Sequence, residues 1–281
     1  MKLLFSKSSK DGELHSIYEC SDCKTVQVNP IPSQESLNAY YSNEYFTTRT
    51  DRGYDNYYSD DTRKELFRVW NLNLSDLKVD LNQFIMQSSG NLQKPKSLDI
   101  GCAAGFFVDF MRNQGFQSYG IEIADEPVRY GRENLGLEIF QEDFLEWDSL
   151  GSQKFDLITM WASIEHMREP IKILSKIKLH LKEDGIVVIS TCRWGIISRF
   201  LKQDWRFLNV PEHLFYFGRT NFIKAMESIG FSYHSSVTYG SGFTTRKNAS
   251  MLYRIAKKIF DYLVKITNQG DMMAISFKGR A

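Results

Sequence analysis

The stretch Leu98-Asp99-Ile100-Gly101-Cys102-Ala103-Ala104-Gly105-Phe106 decides the fold of this chain. Its first three residues end a short apolar run, and small residues then separate that run from a segment with helical character. Small residues in such a turn let the backbone approach a ligand, and a helix N-terminus favours negative charge nearby. The stretch therefore predicts a strand, a ligand-binding turn and a helix, which suits a ligand that carries a nucleotide.

Around this turn, short apolar runs alternate with helical segments, a pattern typical of βαβ units and a parallel sheet. The fold class is therefore α/β. We expect seven strands, at 97–100, 118–123, 137–140, 155–161, 185–191, 231–240 and 271–278. Helices are expected at 105–114, 126–134, 170–182, 219–229 and 250–266.

Two regions follow from this pattern. Residues 1–90 form an N-terminal extension, irregular over about its first 60 residues and helical from Thr62 to about Ser88. Residues 91–281 form the sheet domain. It carries an aromatic insertion at 192–217, after the fifth strand, and a helical insertion at 245–268.

The composition narrows the class of protein. The formal net charge is +1, which is unlike the electropositive footprint of a dedicated nucleic-acid binder. No apolar run is long enough for a transmembrane helix, and the apolar start is too short for a secretion signal. The 4 cysteines do not form a disulfide framework, so a cytoplasmic enzyme is expected.

The spacing of the glycines distinguishes between nucleotide ligands. A dinucleotide fingerprint, G-x-G-x-x-G, counted from Gly101 needs glycines where Ala103 and Phe106 stand. The glycine spacing therefore argues against NAD(P), and an NAD(P)-linked oxidoreductase on a related fold is kept as an alternative function. A further alternative is a non-catalytic module that binds an adenosyl ligand.

Asp99, Gly101 and Gly105 resemble the motif (D/E)-x-G-x-G-x-G of class I S-adenosylmethionine-dependent methyltransferases, with Ala103 in place of the middle glycine. Three later positions continue the resemblance: Glu122, the pair Asp143-Phe144, and Trp161. The resemblance implies a Rossmann-like, mostly parallel seven-stranded sheet with an antiparallel last strand and helices on both faces.

The same resemblance assigns cofactor-binding roles. The turn would hold the methionine part of S-adenosylmethionine, Glu122 the ribose, Asp143 and Phe144 the adenine, and Trp161 the sulfonium. Each residue also has a purely structural interpretation: a tight turn, a surface glutamate, a helix N-cap or core packing. The complete predicted set is Asp99, Gly101, Cys102, Ala103, Gly105, Phe106, Glu122, Ile123, Asp143, Phe144 and Trp161.

His166, next to Glu165, and His213, in the aromatic insertion, are the candidate general bases, because histidine serves this role near neutral pH. The pair Glu165-His166 resembles the metal-linked motif of ubiquinone-type O-methyltransferases. That motif has a further acid where Ala162 stands here, so no metal is predicted.

The N-terminal C-x-x-C and tyrosine-rich segments resemble those of a broad group of small-molecule methyltransferases. Cys20 and Cys23 are interpreted as a metal-free remnant, because a zinc ribbon needs four ligands. Tyr40, Tyr41 and Tyr45 are candidates for a lid over the pocket, although packing is the more typical role.

The resulting hypothesis is methyl transfer from S-adenosylmethionine, yielding S-adenosylhomocysteine, to a small-molecule acceptor. The preferred acceptor atom is a hydroxyl oxygen of a saccharide, quinone or secondary metabolite. We expect no nucleic-acid partner and no stable membrane insertion, and we leave a homodimer open. The basic amphipathic helix at 250–266 is interpreted as a cap packed on the core, in preference to a membrane contact.

Overall fold

The computed structural model describes residues 1–40, 56–88, 93–149, 151–241 and 249–279. Its strands are β1 Lys2–Ser8, β2 Leu14–Glu19, β3 Val26–Val28, β4 Lys96–Ile100, β5 Gln117–Glu122, β6 Glu138–Gln141, β7 Phe155–Trp161, β8 Leu181–Cys192, β9 Phe215–Tyr216, β10 Phe231–Tyr239 and β11 Met272–Gly279. Its α-helices are α1 Gln34–Tyr40, α2 Asp60–Asp76, α3 Leu81–Ser88, α4 Phe106–Asn113, α5 Asp125–Leu135, α6 Pro170–His180, α7 Ile196–Leu201, α8 Arg219–Ser228 and α9 Met251–Ile266.

The main sheet has the strand order β10-β11-β8-β7-β4-β5-β6. The pairs from β8 to β6 are parallel, and β11 is antiparallel to both of its neighbours. The predicted seven-stranded Rossmann-like sheet with an antiparallel last strand is thus confirmed. Strands β5 and β7 flank β4 on opposite sides, and such a reversal of strand order opens a crevice at the carboxyl ends of the strands.

Helices cover both faces of the main sheet, as predicted. Side chains alternate between the two faces of a strand, so neighbouring residues of β7 enter different cores. Ile158 packs in the core that includes residues of α6 and α8, whereas Leu157 packs with residues of α2 and α4. Both side chains are fully buried. Apolar residues at consecutive strand positions are what a sheet buried on both faces requires.

The N-terminal segment is the first departure from the sequence prediction. Strands β1, β2 and β3 are not irregular; they pair antiparallel and join β9 from the aromatic insertion in a second sheet. Ile17, Val26 and Val28 are buried there in a core with Trp194 and Trp205. A strand as short as β3, with 3 residues, carries too little periodicity to be recognised in the sequence.

The helical cap also differs from the prediction of one long helix. The chain turns between α2 and α3, where Lys78 has φ +56° and the Val79 N–H donates to the Leu74 carbonyl at 2.9 Å. This left-handed closure ends α2, and α3 begins afresh at Leu81. A lysine gives no sequence signal for such a turn, because glycine or asparagine is usual there.

Helix α9 packs on β10 as expected of a cap, but only one side of it is buried. Its only buried residue is Val264, and the apolar positions Leu252, Ile255 and Ile259 are exposed. Within the described parts of the chain, no helix has the length and apolar character needed to cross a bilayer.

Candidate functional site

A cavity of about 830 Å³ opens at the carboxyl ends of β4, β5 and β7. The turn Gly101–Ala103 and Glu122 line one part of it, and His166 and His213 line another. The predicted cofactor turn and both candidate bases therefore share one cavity.

The turn after β4 is held by close contacts that leave no room for a side chain at Gly101. The Gly101 N–H donates to the Ile121 carbonyl at 2.8 Å, and the Ser163 hydroxyl donates to the Ile100 carbonyl at 2.8 Å. Gly101 has φ +70°, and a Cβ built there would lie 2.6 Å from the Ser163 Cβ. Only glycine fits this position, for its conformation and for its space.

Glu122 closes the same turn from the end of β5. Its carboxylate accepts backbone N–H groups from Ala103 at 2.9 Å, Ile123 at 2.8 Å and Ala124 at 3.0 Å. Burial raises the pKa of Glu122, and these three donors act against that rise. A carboxylate has about four acceptor positions, so a position remains for a ligand hydroxyl at the cavity. Glu122 therefore lies at the mouth beside Gly101, where the sequence places it.

Asp99 lies under the turn. It is buried, lines the cavity, and accepts a hydrogen bond from the Thr159 hydroxyl at 2.7 Å. Burial raises the pKa of Asp99 to about 8, although the Thr159 bond opposes the rise. The carboxyl is therefore mostly neutral at pH 7, and its hydrogen bond with Thr159 joins β4 to β7 below the cavity.

Two residues predicted for the cofactor site do not reach the cavity wall. Gly105 has φ +75° at the start of α4, and a Cβ there would lie 2.7 Å from Ile139 Cδ1. Phe106 is buried and stacks on the Tyr57 ring with centroids 5.2 Å apart. Both residues pack on the side of the turn that faces away from the cavity, whereas Tyr57 itself lines the cavity.

The remaining predicted cofactor residues all line the cavity, Cys102 and Ile123 among them. The Asp143 carboxylate accepts the Leu145 N–H at 2.8 Å, which fixes the turn that presents Phe144. Trp161 ends β7, and its buried indole Nε1 has no hydrogen-bond partner among the described residues. An unpaired buried donor at a cavity wall is a group that a polar ligand atom would satisfy.

The two candidate bases meet although they are far apart in sequence. Their rings lie 4.7 Å apart and nearly perpendicular, at 82°. His166 Nδ1 lies 2.9 Å from the Glu212 carbonyl oxygen, and His213 Nδ1 lies 2.9 Å from the Phe207 carbonyl oxygen. A carbonyl oxygen can only accept, so each Nδ1 carries a proton, and in the neutral ring Nε2 is the nitrogen that can act as a base.

Glu165 completes this end of the cavity. It is 1% exposed, and burial raises its pKa to about 7. Its carbonyl accepts the Leu214 N–H at 2.8 Å, which ties the short 3-10 helix Ile164–His166 to the aromatic insertion. Ligand atoms of Glu165, His166 and His213 lie within 4.8 Å of one another. The absence of a metal stays a prediction.

Sequence reasoning missed several wall residues. Ser163, Arg206 and Tyr239 line the cavity, and none of them was predicted. A serine two residues beyond a strand has no distinctive sequence pattern. The cluster of tyrosines near residue 57, by contrast, could have indicated that Tyr57 lines the cavity. The side chains of the lid candidates Tyr40, Tyr41 and Tyr45 lie outside the described residues.

The C-x-x-C pair lies in the turn between β2 and β3, outside the cavity lining. Cys20 is partly exposed and Cys23 is exposed, and both are free thiols. Hydrogen bonds from the Cys23 and Asp22 backbone lower the pKa of Cys20.

Comparison with solved structures supports the fold. A protein of Pyrococcus horikoshii is similar with a TM-score of 0.52 and 14% identity, covering 86% of this chain and 99% of that one. A chain of the complex between the Haloferax volcanii Trm112 methyltransferase activator and a methyltransferase gives a TM-score of 0.56 at 12% identity, covering 80% and 96%. At these identities the likeness shows the fold alone.

Sequence comparison adds the family. The chain is 33% identical over 138 residues to a ubiquinone biosynthesis O-methyltransferase of Actinobacillus pleuropneumoniae, covering 46% of this chain and 56% of that protein. The corresponding protein of Histophilus somni is 32% identical over 118 residues, covering 39% and 50%. The chain thus spans about half the length of these curated relatives. A family model for a methyltransferase domain matches residues 63–236, well over half of the chain, and the chain therefore belongs to the methyltransferase-domain family.

Proposed function

We propose that this protein transfers a methyl group from S-adenosylmethionine to a hydroxyl oxygen of a small molecule of the quinone type. The observation that carries the proposal is the shared cavity, which joins the Gly101 turn and Glu122 to the histidine pair. Its volume of about 830 Å³ is within the range that holds a cofactor and a small acceptor. Family membership and the names of the curated relatives point the same way.

The residues of the cavity fit the cofactor. Glu122 offers carboxylate oxygens to ribose hydroxyls, and the Gly101 turn lines the cavity beside it. Asp143 and Phe144 also line the cavity and are the proposed partners of the adenine ring, and the unpaired Trp161 N–H offers a donor. Bound S-adenosylmethionine supplies an electrophilic methyl group on a sulfonium.

The chain's own contribution is to align the acceptor, exclude water and receive a proton. In-line displacement needs the acceptor oxygen held against the methyl donor, and one shared cavity can hold both molecules. A hydroxyl must lose its proton as the new bond forms, and Nε2 of His166 or His213 can accept it. The buried Glu165 lies beside both rings and stabilises the imidazolium that results.

Calorimetry with S-adenosylhomocysteine tests the cofactor assignment. Glu122→Ala should weaken binding at least about tenfold, because the ribose loses its acceptor and the turn loses its closure. Glu138→Ala, at an exposed position of β6 away from the cavity, is the matched control and should bind normally. No heat with either cofactor form in the unmodified protein would remove the basis of the proposal.

A methyl-transfer assay on a panel of hydroxylated aromatic compounds tests the base. Replacing the correct histidine by Gln should lower kcat by about 10²–10⁴-fold and leave cofactor affinity unchanged. His213→Gln and His166→Gln are compared with His234→Gln, whose side chain is outside the cavity lining. Intact cofactor binding without transfer to any acceptor would favour the non-catalytic alternative.

The same assay tests the predicted absence of a metal. Glu165, His166 and His213 present a carboxylate and two imidazoles, which is a donor set that divalent metals use. We expect turnover to persist after treatment with EDTA and gel filtration. Loss of turnover that added Mg²⁺ or Zn²⁺ restores would show that the prediction is wrong.

The proposal includes a cytoplasmic location and a small-molecule partner. The 4 cysteines, all free thiols, support the reducing compartment, and the net charge of +1 argues against nucleic acid. A homodimer remains a prediction from the sequence, which light scattering checks.

A further inference from the structure

Helix α9 turns a large apolar surface to solvent. The exposed fractions of its apolar side chains run from 41% to 80%, and only Val264 is buried. The exposed set is Met251, Leu252, Ile255, Ile259, Phe260, Tyr262, Leu263 and Ile266.

Seven of these side chains, all except Phe260, form one continuous stripe, and Phe260 lies about 60° beyond its edge. At about 100° per residue, the positions from Met251 through Ile255 to Leu263 occupy an arc of about 120°. Val264 lies on the opposite side, and its carbonyl accepts the Thr238 hydroxyl of β10 at 3.3 Å. The buried side of the helix therefore faces the sheet, and the apolar stripe points directly away from it.

Cations follow one edge of the stripe. Arg254, Lys258 and Lys265 fall within about 40° of one another on the helical wheel, next to Met251. Lys265 pairs with Asp76 of α2 at 2.6 Å, whereas Arg254 and Lys258 form no ion pair with any described residue.

The helix offers one acid near that edge. Asp261 lies about 20° from Arg254 on the helical wheel, but it is held by Lys257 at 2.5 Å and by the Ser241 hydroxyl, so the edge keeps a net positive charge. An apolar stripe with a cationic edge matches an anionic lipid surface, where acyl chains receive the apolar groups and headgroups receive the charges.

We propose that α9 docks flat on an anionic membrane surface. A second copy of the chain is a poorer occupant of the stripe. Antiparallel pairing of two such helices would set the cationic edges against each other. Parallel pairing would set Arg254 and Lys258 against Ala256 and Phe260, which carry no charge.

Helix α9 is also linked to a helix of the cavity wall. The Lys265–Asp76 pair ties α9 to α2, and Val69, Trp70 and Asn73 of α2 line the cavity. This arrangement suits an acceptor that arrives from a membrane. The docking proposal goes beyond the proposed function and does not depend on it, since its test measures no turnover.

The test is sedimentation of the full chain with vesicles of phosphatidylcholine, with or without about 30% phosphatidylglycerol. Binding to the anionic vesicles should exceed binding to neutral ones and weaken at high salt. The double variant Arg254→Gln/Lys258→Gln should bind about 25-fold more weakly, from about fivefold for each cation near the surface.

A charge in the stripe should have a larger effect. Ile255→Glu/Ile259→Glu should abolish sedimentation, whereas Met86→Glu, on an exposed apolar side chain of α3, should leave it unchanged. Circular dichroism confirms that each variant is folded.

Three results would overturn the proposal: no sedimentation of the unmodified chain with anionic vesicles, equal binding by all variants, or a dimer in light scattering that Ile255→Glu/Ile259→Glu dissociates. The last result would assign the stripe to a second copy of the chain.

Discussion

Replacing Gly101 by alanine is the sharpest test of how the turn after β4 works. The new Cβ would lie 2.6 Å from the Ser163 Cβ and 3.1 Å from its hydroxyl oxygen, where ordinary contacts begin at 3.4 Å. Ser163 cannot rotate away, because its Cβ is fixed to the backbone. The turn must therefore move by about 1 Å, and such overpacking costs about 1–3 kcal/mol.

A second cost comes from the backbone. Gly101 has φ +70°, and an L-residue in the left-handed region costs about 1–2 kcal/mol. The two effects together lower the free energy of unfolding by about 2–5 kcal/mol. The Ala103 N–H of this turn donates to the Glu122 carboxylate. A shift of the turn by about 1 Å should therefore displace Glu122 and weaken S-adenosylhomocysteine binding at least about tenfold.

Gly136→Ala separates the two costs. Gly136 also has a positive φ, +59°, but a Cβ there meets nothing within 4 Å. This control should lose only the backbone contribution, about 1–2 kcal/mol, and keep its cofactor affinity. Urea unfolding and calorimetry measure both quantities.

A double-mutant cycle with Ser163→Gly identifies the clash. The single Ser163→Gly variant loses the hydrogen bond to the Ile100 carbonyl, which is worth about 1 kcal/mol. Combined with Gly101→Ala, it should destabilise by less than the sum of the two, with a coupling of about 1 kcal/mol or more. If Gly101→Ala matches Gly136→Ala in both stability and affinity, the close packing at this turn has no energetic role and the reasoning fails.

Two further predictions concern buried carboxyls. Burial raises the pKa of Asp99 to about 8 from 3.8, so the folded state keeps a proton that the unfolded state releases, and stability falls as pH rises between these values. Asp99→Asn should therefore make the pH dependence of unfolding shallower by up to about 1.4 kcal/mol per pH unit between about pH 5 and pH 7, and equal slopes in urea melts would contradict this. The buried Trp205 indole donates to Asp271 at 3.0 Å, so Trp205→Phe should cost about 1–3 kcal/mol more than Trp147→Phe. The Trp147 indole N–H has no partner among the described residues, so equal losses in thermal unfolding would show that the bond to Asp271 contributes nothing.

The sequence alone determined the main sheet and the cofactor side of the cavity. Strands buried on both faces appear in the sequence as short apolar runs, and the helices between them appear as apolar residues three or four positions apart. The carboxyl ends of parallel strands lie at one edge of the sheet. The carboxyl ends of β4, β5 and β7 therefore had to bring Gly101, Glu122 and Trp161 together, as the structure shows. Local spacing sufficed because each residue is fixed by the strand that precedes it.

Tertiary structure alone decided the acceptor side. His166 and His213 are 47 positions apart in the chain, and they meet because the aromatic insertion pairs with the N-terminal strands and returns over the cavity. The carbonyl partners of the two Nδ1 atoms, at Glu212 and Phe207, are set by the fold of the insertion, and no local sequence pattern predicts them.

The direction of a helix face is also a tertiary property. The periodicity of the sequence shows that α9 has an apolar stripe. The side of α9 that contacts the sheet is set by the Thr238–Val264 hydrogen bond and the Lys265–Asp76 ion pair. No local pattern predicts either contact, because both join residues distant in the chain, and tertiary packing therefore leaves the stripe exposed.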